Sequence, residues 1–194
     1  MTRSTLTLTT RILFGVTGTL FPETPRNPFQ GGDSSEPRGS IVSTHCFVNA
    51  NHAGDCVTRQ SQTGILLFVC KAVVLSYSKR QNTVETLTFG SEFVAMRIAV
   101  VLIKALSNKL GMFGMPLDGP TNVFCYNQAV TKHAIYPEST LKNKHNIAYH
   151  RTRLAVAADT TRVTKEDGKD NLMDVLTKLL PQARRDYLCD QFMY

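Results

Sequence analysis

From residue 44 to residue 80 the chain reads as extended structure. THCFVNA, residues 44–50, is a strand candidate, and QTGILLFVCKAVVLSYSK, residues 62–79, is β-branched and aromatic without a helical stripe. It therefore predicts two strands meeting near Lys71 and Ala72. The pattern then changes period. SEFVAMRIAVVLIKALSNKL, residues 91–110, is apolar at nearly every position except Arg97, Lys104 and Asn108, whose offsets place them on one narrow face. Such a stretch predicts a helix buried round most of its circumference, with Ser91 able to cap it and Gly111 closing it.

Downstream, TNVFCY (121–126) predicts a strand and NQAVTKHA (127–134) a short helix cut off by Pro137. Residues 144–158 are helical in pattern, TTRVTKE (160–166) is a late strand, and NLMDVLTKLL (171–180) is a helix stopped by Pro181. Residues 182–192 form a terminal amphipathic helix. Strands gathered at the front, followed by alternating helix and strand, predict an α/β fold with a mixed sheet covered on both faces.

The first forty residues do not join this pattern. Residues 22–40, PETPRNPFQGGDSSEPRGS, combine four prolines with glycines and serines. That composition buries too little surface to offset its ordering entropy and predicts a disordered linker. Ahead of it, TTRILFGVTGTLF fits a short strand or a helix remnant equally well. The expected division is residues 1–21 as a remnant of an upstream domain, 22–40 as linker, 41–181 as the folded domain and 182–194 as a helical tail.

Charge narrows the partner class. Lys and Arg outnumber Asp and Glu by 22 to 15, a net +7, which suits a partner carrying phosphates. The five cysteines are spread without a C-x-x-C pair, as in reduced intracellular proteins. No run approaches the ~20 apolar residues needed to span a bilayer, and the N-terminus lacks a secretory pattern. The expectation is a soluble intracellular protein, cytoplasmic or nuclear, with no membrane partner. His45, Cys46, His52 and Cys56 are numerous enough for a zinc site, but their spacing fits no zinc-finger pattern, and His45 and Cys46 fall on opposite faces of a strand.

The motifs FVNANHAGD, RQSQTG, SKRQ, SEFVAM, FCYNQA, KHNIAYHRTR and DVLTKLL, in this order and spacing, resemble the ribonuclease H domain at the end of copia-type retrotransposon polyproteins. The resemblance covers about residues 44–180, and RILFGVTGTLF weakly resembles the segment joining reverse transcriptase to that domain. It implies a ribonuclease H-like fold, a mixed five-stranded sheet flanked by helices. It also implies four carboxylates holding two magnesium or manganese ions to cut RNA in an RNA:DNA hybrid, and former fusion to reverse transcriptase.

Carried over position by position, the family's first-strand aspartate falls on Asn49 and its motif-mate on Asn51, the helix glutamate on Glu92, the fourth-strand aspartate on Tyr126, and the late aspartate on Asp174. Two of the four metal ligands are therefore replaced, leaving Glu92 and Asp174. Asn49 keeps an oxygen but loses a charge, whereas Tyr126 offers a neutral phenol and a bulky ring. Asp55 and Glu85 are the acids near enough in sequence to substitute. The basic residues Lys79, Arg80, Lys144, Arg151 and Arg153 persist, and phosphate contacts need only charge and donors, so binding can outlive cutting. The resemblance implies a domain inactive as a nuclease; a non-catalytic module binding nucleic acid or protein, and a relic without selected function, stand beside it.

Overall fold

The computed structural model describes residues 39–135, 147–166 and 171–193. Residues 1–38, which include the expected remnant and all of the expected linker but Gly39 and Ser40, and Lys144 lie outside these; Gly39 N–H donates to Gly114 O at 3.2 Å. Five strands form one sheet in the order β3-β2-β1-β4-β5: β1 Thr44–Asn51, β2 Gln62–Val69, β3 Ala72–Arg80, β4 Thr121–Cys125 and β5 Thr161–Lys165. β1, β2 and β3 are antiparallel neighbours, while β4 runs parallel to both β1 and β5. The helices are α1 Thr88–Met112, α2 Gln128–Ile135, α3 Ile147–Ala157, α4 Asp174–Thr177 and α5 Gln182–Cys189. This is the mixed sheet that the order of patterns predicts. Among the described residues no helix is long and apolar enough to cross a membrane.

Strand alternation divides the interior into two cores. Cys46, Val48 and Ala50 of β1 join Ile65, Leu67, Val123 and Cys125 beneath α1, where Phe93, Met96, Ala99 and Ile103 cover them. Phe47, Leu66, Phe68 and Phe124 face the other way, against Leu172, Met173 and Leu188. β2 is buried on both faces, which is why its sequence is a continuous apolar run rather than an alternation. β3, at the sheet edge, alternates between exposed and half-buried positions, and a register shift opposite Leu67 and Phe68 leaves Val74 as an extra, exposed residue.

Helix boundaries differ from expectation in α1 and α4. α1 starts three residues before Ser91, which lies inside the helix, donates its hydroxyl to Thr88 O and is not a cap. Its end is fixed by Gly114, not Gly111. Gly114 adopts φ 70°, its N–H reaches Gly111 O, and the Met115 N–H reaches Leu110 O, the paired bonds of a Schellman turn. The Asn171–Leu180 stretch forms a single turn, Asp174–Thr177, because Lys178 is already extended at φ −131°, ψ 152°. The carbonyls of Leu176 and Thr177 are taken by side chains of Ser78 and Asn51, and Pro181 disfavours helical geometry just before it.

Candidate functional site

The parallel register of β1 and β4 ends with Val48 opposite Cys125, and Asn49 and Tyr126 are the next residue on each strand. Alternation turns both toward the side of Phe47 and Phe124, where α4 packs. Tyr126 sits half-buried beside the Leu172 backbone. Burial pushes its pKa above the usual tyrosine value, reinforced by the negative charges of Glu166 and Asp174. The side chain is therefore neutral across the physiological range.

Asp174 opens α4 and pairs with Lys178, its carboxylate 2.8 Å from the ammonium. The pairing follows from i, i+4 spacing, a signal visible in DVLTK once both residues are placed on one turn. Glu92 approaches the opposite side of the same strand end. Its Oε2 lies 4.0 Å from the Cys125 thiol, with the Asn127 side chain close by. Burial raises its pKa to about 7, an effect the Asn127 contact partly offsets. Glu92 thus meets the residues on either side of Tyr126, Tyr126 meets Asp174, and Asn49 occupies the adjacent strand. The four positions gather where β1 and β4 end.

The donors gathered there do not fit a pair of divalent cations. Hard cations need several anionic oxygens at one point, and the site offers Asp174, already paired with Lys178, Glu92, held partly protonated near neutral pH, and Glu166 on the far side of Tyr126, with an amide and a phenol in the remaining places. Among the described residues no group of three or more His, Cys, Asp or Glu side chains is arranged to hold a metal ion. That includes the quartet weighed for zinc: His45 and Cys46 are buried on opposite faces of β1, and Cys56 is exposed.

Nor are the substitute acids free. Asp55 accepts the Val57 and Thr58 N–H groups at 2.9 and 3.0 Å through Oδ1 and pairs with Arg80 at 2.8 Å through Oδ2. The Thr58 and Val57 contacts, with Arg80, hold its carboxyl below the usual carboxylate range. It organises the β1–β2 loop. Glu85 accepts the Thr83 hydroxyl at 3.2 Å and lies over Gly90 at the start of α1.

The basic residues fall into two separate regions. Lys79 and Arg80 end the edge strand β3, exposed, with Arg80 tied to Asp55. Arg151 and Arg153 lie on α3, which packs on α1 and α2 near β5, the other sheet edge. Arg151 is exposed, while Arg153 donates to the Tyr149 hydroxyl at 3.0 Å and rests 5.3 Å from its ring centre. Gln81, adjacent in sequence to Arg80, is instead a buried strut donating to Thr63 Oγ1 and Ser91 O. Between the β1–β2 loop, the end of β3 and α4 runs a groove of about 770 Å³, bordered by Asn51, Asp55, Gln62, Arg80, Leu176 and Lys178.

The burial of Glu92 carries a prediction. The folded carboxyl keeps its proton up to about 7, whereas an unperturbed one releases it near 4.5. Between those values the native state binds more protons than the unfolded state, so stability falls as pH rises through that window. Glu92→Gln lacks this titration. In EDTA, the melting temperature of Glu92→Gln relative to wild type is expected to climb from pH 4.5 to 7 and level off above; a constant difference would mean that the carboxyl ionises normally.

With this geometry in place, comparison with known proteins agrees with the motif reading. No protein-family model matches the chain. Solved structures share its fold. A ribonuclease H1 crystallised with an RNA/DNA hybrid has a TM-score of 0.53 at 13% identity over 70% of this chain and 94% of that one. The N-terminal ribonuclease H domain of a Mycobacterium tuberculosis protein has a TM-score of 0.51 at 10% identity over 77% and 97%. The fold is ribonuclease H-like. In sequence, the chain is 26% identical over 147 residues to the retrovirus-related Pol polyproteins of transposons RE2 and RE1 of Arabidopsis thaliana, matching 75% of this chain. It is 27% identical over 154 residues to that of transposon TNT 1-94 of Nicotiana tabacum. Its homologues are thus copia-type retrotransposon Pol polyproteins, as the motifs led us to expect. The chain spans about a tenth of the length of these relatives, 10% for the Arabidopsis proteins and 11% for the tobacco one.

Proposed function

We propose that the chain is a ribonuclease H-like domain descended from a polyprotein nuclease that cut RNA in RNA:DNA hybrids, and that it no longer cleaves but retains contact with nucleic acid. The observation that carries this reading is Tyr126: a neutral, half-buried phenol near Glu166 and Asp174 fills the position where the resemblance calls for an anionic ligand. Asn49, its neighbour, removes a second charge. In the family magnesium or manganese ions supply the chemistry of hydrolysis; here Glu92 and Asp174 are the two carboxylates left to meet them.

Lys79, Arg80, Arg151 and Arg153, with Lys144, are the proposed phosphate contacts, and the net +7 favours a polyanion. The ribonuclease H1 neighbour solved with an RNA/DNA hybrid supports the choice of partner. The proposed domain division is as expected from the sequence, with residues 41–181 as the nuclease-derived unit and an ancestral reverse transcriptase upstream.

The test is incubation of the purified chain with labelled RNA:DNA hybrid in magnesium and in manganese. Expected are no cleavage above buffer and binding that weakens steeply with salt. Each phosphate contact removed by an exposed Lys or Arg to Ala change should flatten the salt slope by about 0.9. Cleavage that disappears in Glu92→Gln would overturn the loss of activity. Absence of binding at low salt would overturn the binding half and favour a relic.

A further inference from the structure

We infer that Asn51 and Ser78 form a hydrogen-bonded clasp that fixes the end of the 171–178 segment onto the sheet, so that neutral side chains rather than ions hold this end of the domain closed. The inference rests on the reading that the site no longer gathers metal. Asn51 Nδ2 donates to Thr177 O at 3.0 Å, a contact between residues 126 apart in the chain. Ser78 Oγ donates to Leu176 O at 2.7 Å and itself accepts Gln62 Nε2 at 2.8 Å. The two grips come from β1 and β3, and they hold the segment at Leu176 and Thr177.

What lies beneath the segment agrees. Leu172 and Met173 are buried in the second core. Gly64 of β2, paired with Asn49, leaves open the space a side chain would fill: a Cβ there would stand 2.6 Å from Thr177 Cγ2 and 3.1 Å from Leu176 Cβ. Asp174, the half-buried charge that the closed segment brings in, is neutralised from within by Lys178 at 2.8 Å.

The clasp explains position 51 in a way that loss of a ligand does not. The partner of Asn51 is a carbonyl, which only accepts, so the side chain must donate. An ionised carboxylate of the same shape would turn its lone pairs toward that oxygen and convert a bond into a repulsion. The amide is thus a positioning group, and aspartate at this position is incompatible with the observed closure at neutral pH.

Hydrogen exchange by mass spectrometry tests this on the full chain. In Asn51→Asp at pH 7, exchange within residues 171–181 is expected to accelerate roughly tenfold over wild type, about what one net hydrogen bond is worth, while the β2 peptide 62–69 is unchanged. The ratio to wild type should shrink near pH 3, where a protonated carboxyl can donate again. Ser78→Ala, which adds no charge, should loosen the same peptide and decides the matter if Asn51→Asp fails to fold. Unchanged exchange of 171–181 in the folded variants overturns the clasp. Slowing of that peptide in wild type by magnesium or manganese, relative to EDTA, overturns instead the metal-free reading on which it rests.

Discussion

Restoring aspartate at both replaced positions, Asn49→Asp together with Tyr126→Asp, is expected to turn a protein indifferent to magnesium into one that depends on it. The change would place two carboxylates beside Asp174 and Glu92, with Glu166 also near position 126. Like charges about 5 Å apart repel by about 3 kcal/mol at an effective dielectric of ~20, so in EDTA the double variant should melt well below wild type. The same crowding is what attracts a divalent cation. An ion present at about a hundred times its dissociation constant returns about 2.7 kcal/mol, most of the loss. The expected signature is a melting temperature that falls in EDTA and recovers in magnesium, against no shift in wild type. Cleavage of the RNA strand of a hybrid should accompany the recovery and disappear when Glu92→Gln is added. A folded double variant that recovers stability in magnesium but not cleavage would place further decay in substrate positioning, where misplacement by ~1 Å already costs about a hundredfold in rate.

The framework was legible because it is written in short-range patterns. The apolar run of β2 and the nearly all-apolar α1 declare themselves within their own residues, and the order of strands and helices then leaves little choice of fold. The site positions were legible only through motif order: Glu92, Tyr126 and Asp174 are unremarkable alone, and nothing local says that they meet. What the sequence hid depends on contacts across the chain. The single turn of α4 ends where side chains 98 and 126 residues distant capture its carbonyls, so periodicity through residue 180 overstates the helix. Asp55 looks free to bind a cation until Arg80, 25 residues on, and two nearby N–H groups are seen to consume it. Position 51 reads as a lost acid in the motif and as a gained donor in the fold.

The other large effect lies under the segment 171–178. Phe47→Ala is expected to destabilise the domain by about 3–5 kcal/mol, a large share of the ~5–15 kcal/mol that holds a domain of this kind together. Phe47 is 2% exposed at the centre of β1, stacked on Phe124 with ring centres 4.8 Å apart and edge-on to Phe68 at 5.7 Å. Removing it deletes both ring contacts and opens a cavity, and the wall of that cavity formed by Leu172, Met173 and Leu188 belongs to the C-terminal segments. Those segments have weaker local order than the sheet, since α4 is one turn and α5 two, so they should yield first. Urea unfolding of Phe47→Ala is expected to show a much lower midpoint, with hydrogen exchange rising in residues 171–193 before β2. Met96→Ala, in the core beneath α1, should cost about 2–5 kcal/mol without that regional bias. If both variants loosen the chain uniformly, the two cores unfold as one cooperative unit and the 171–178 segment has no separate stability for Asn51 and Ser78 to supply.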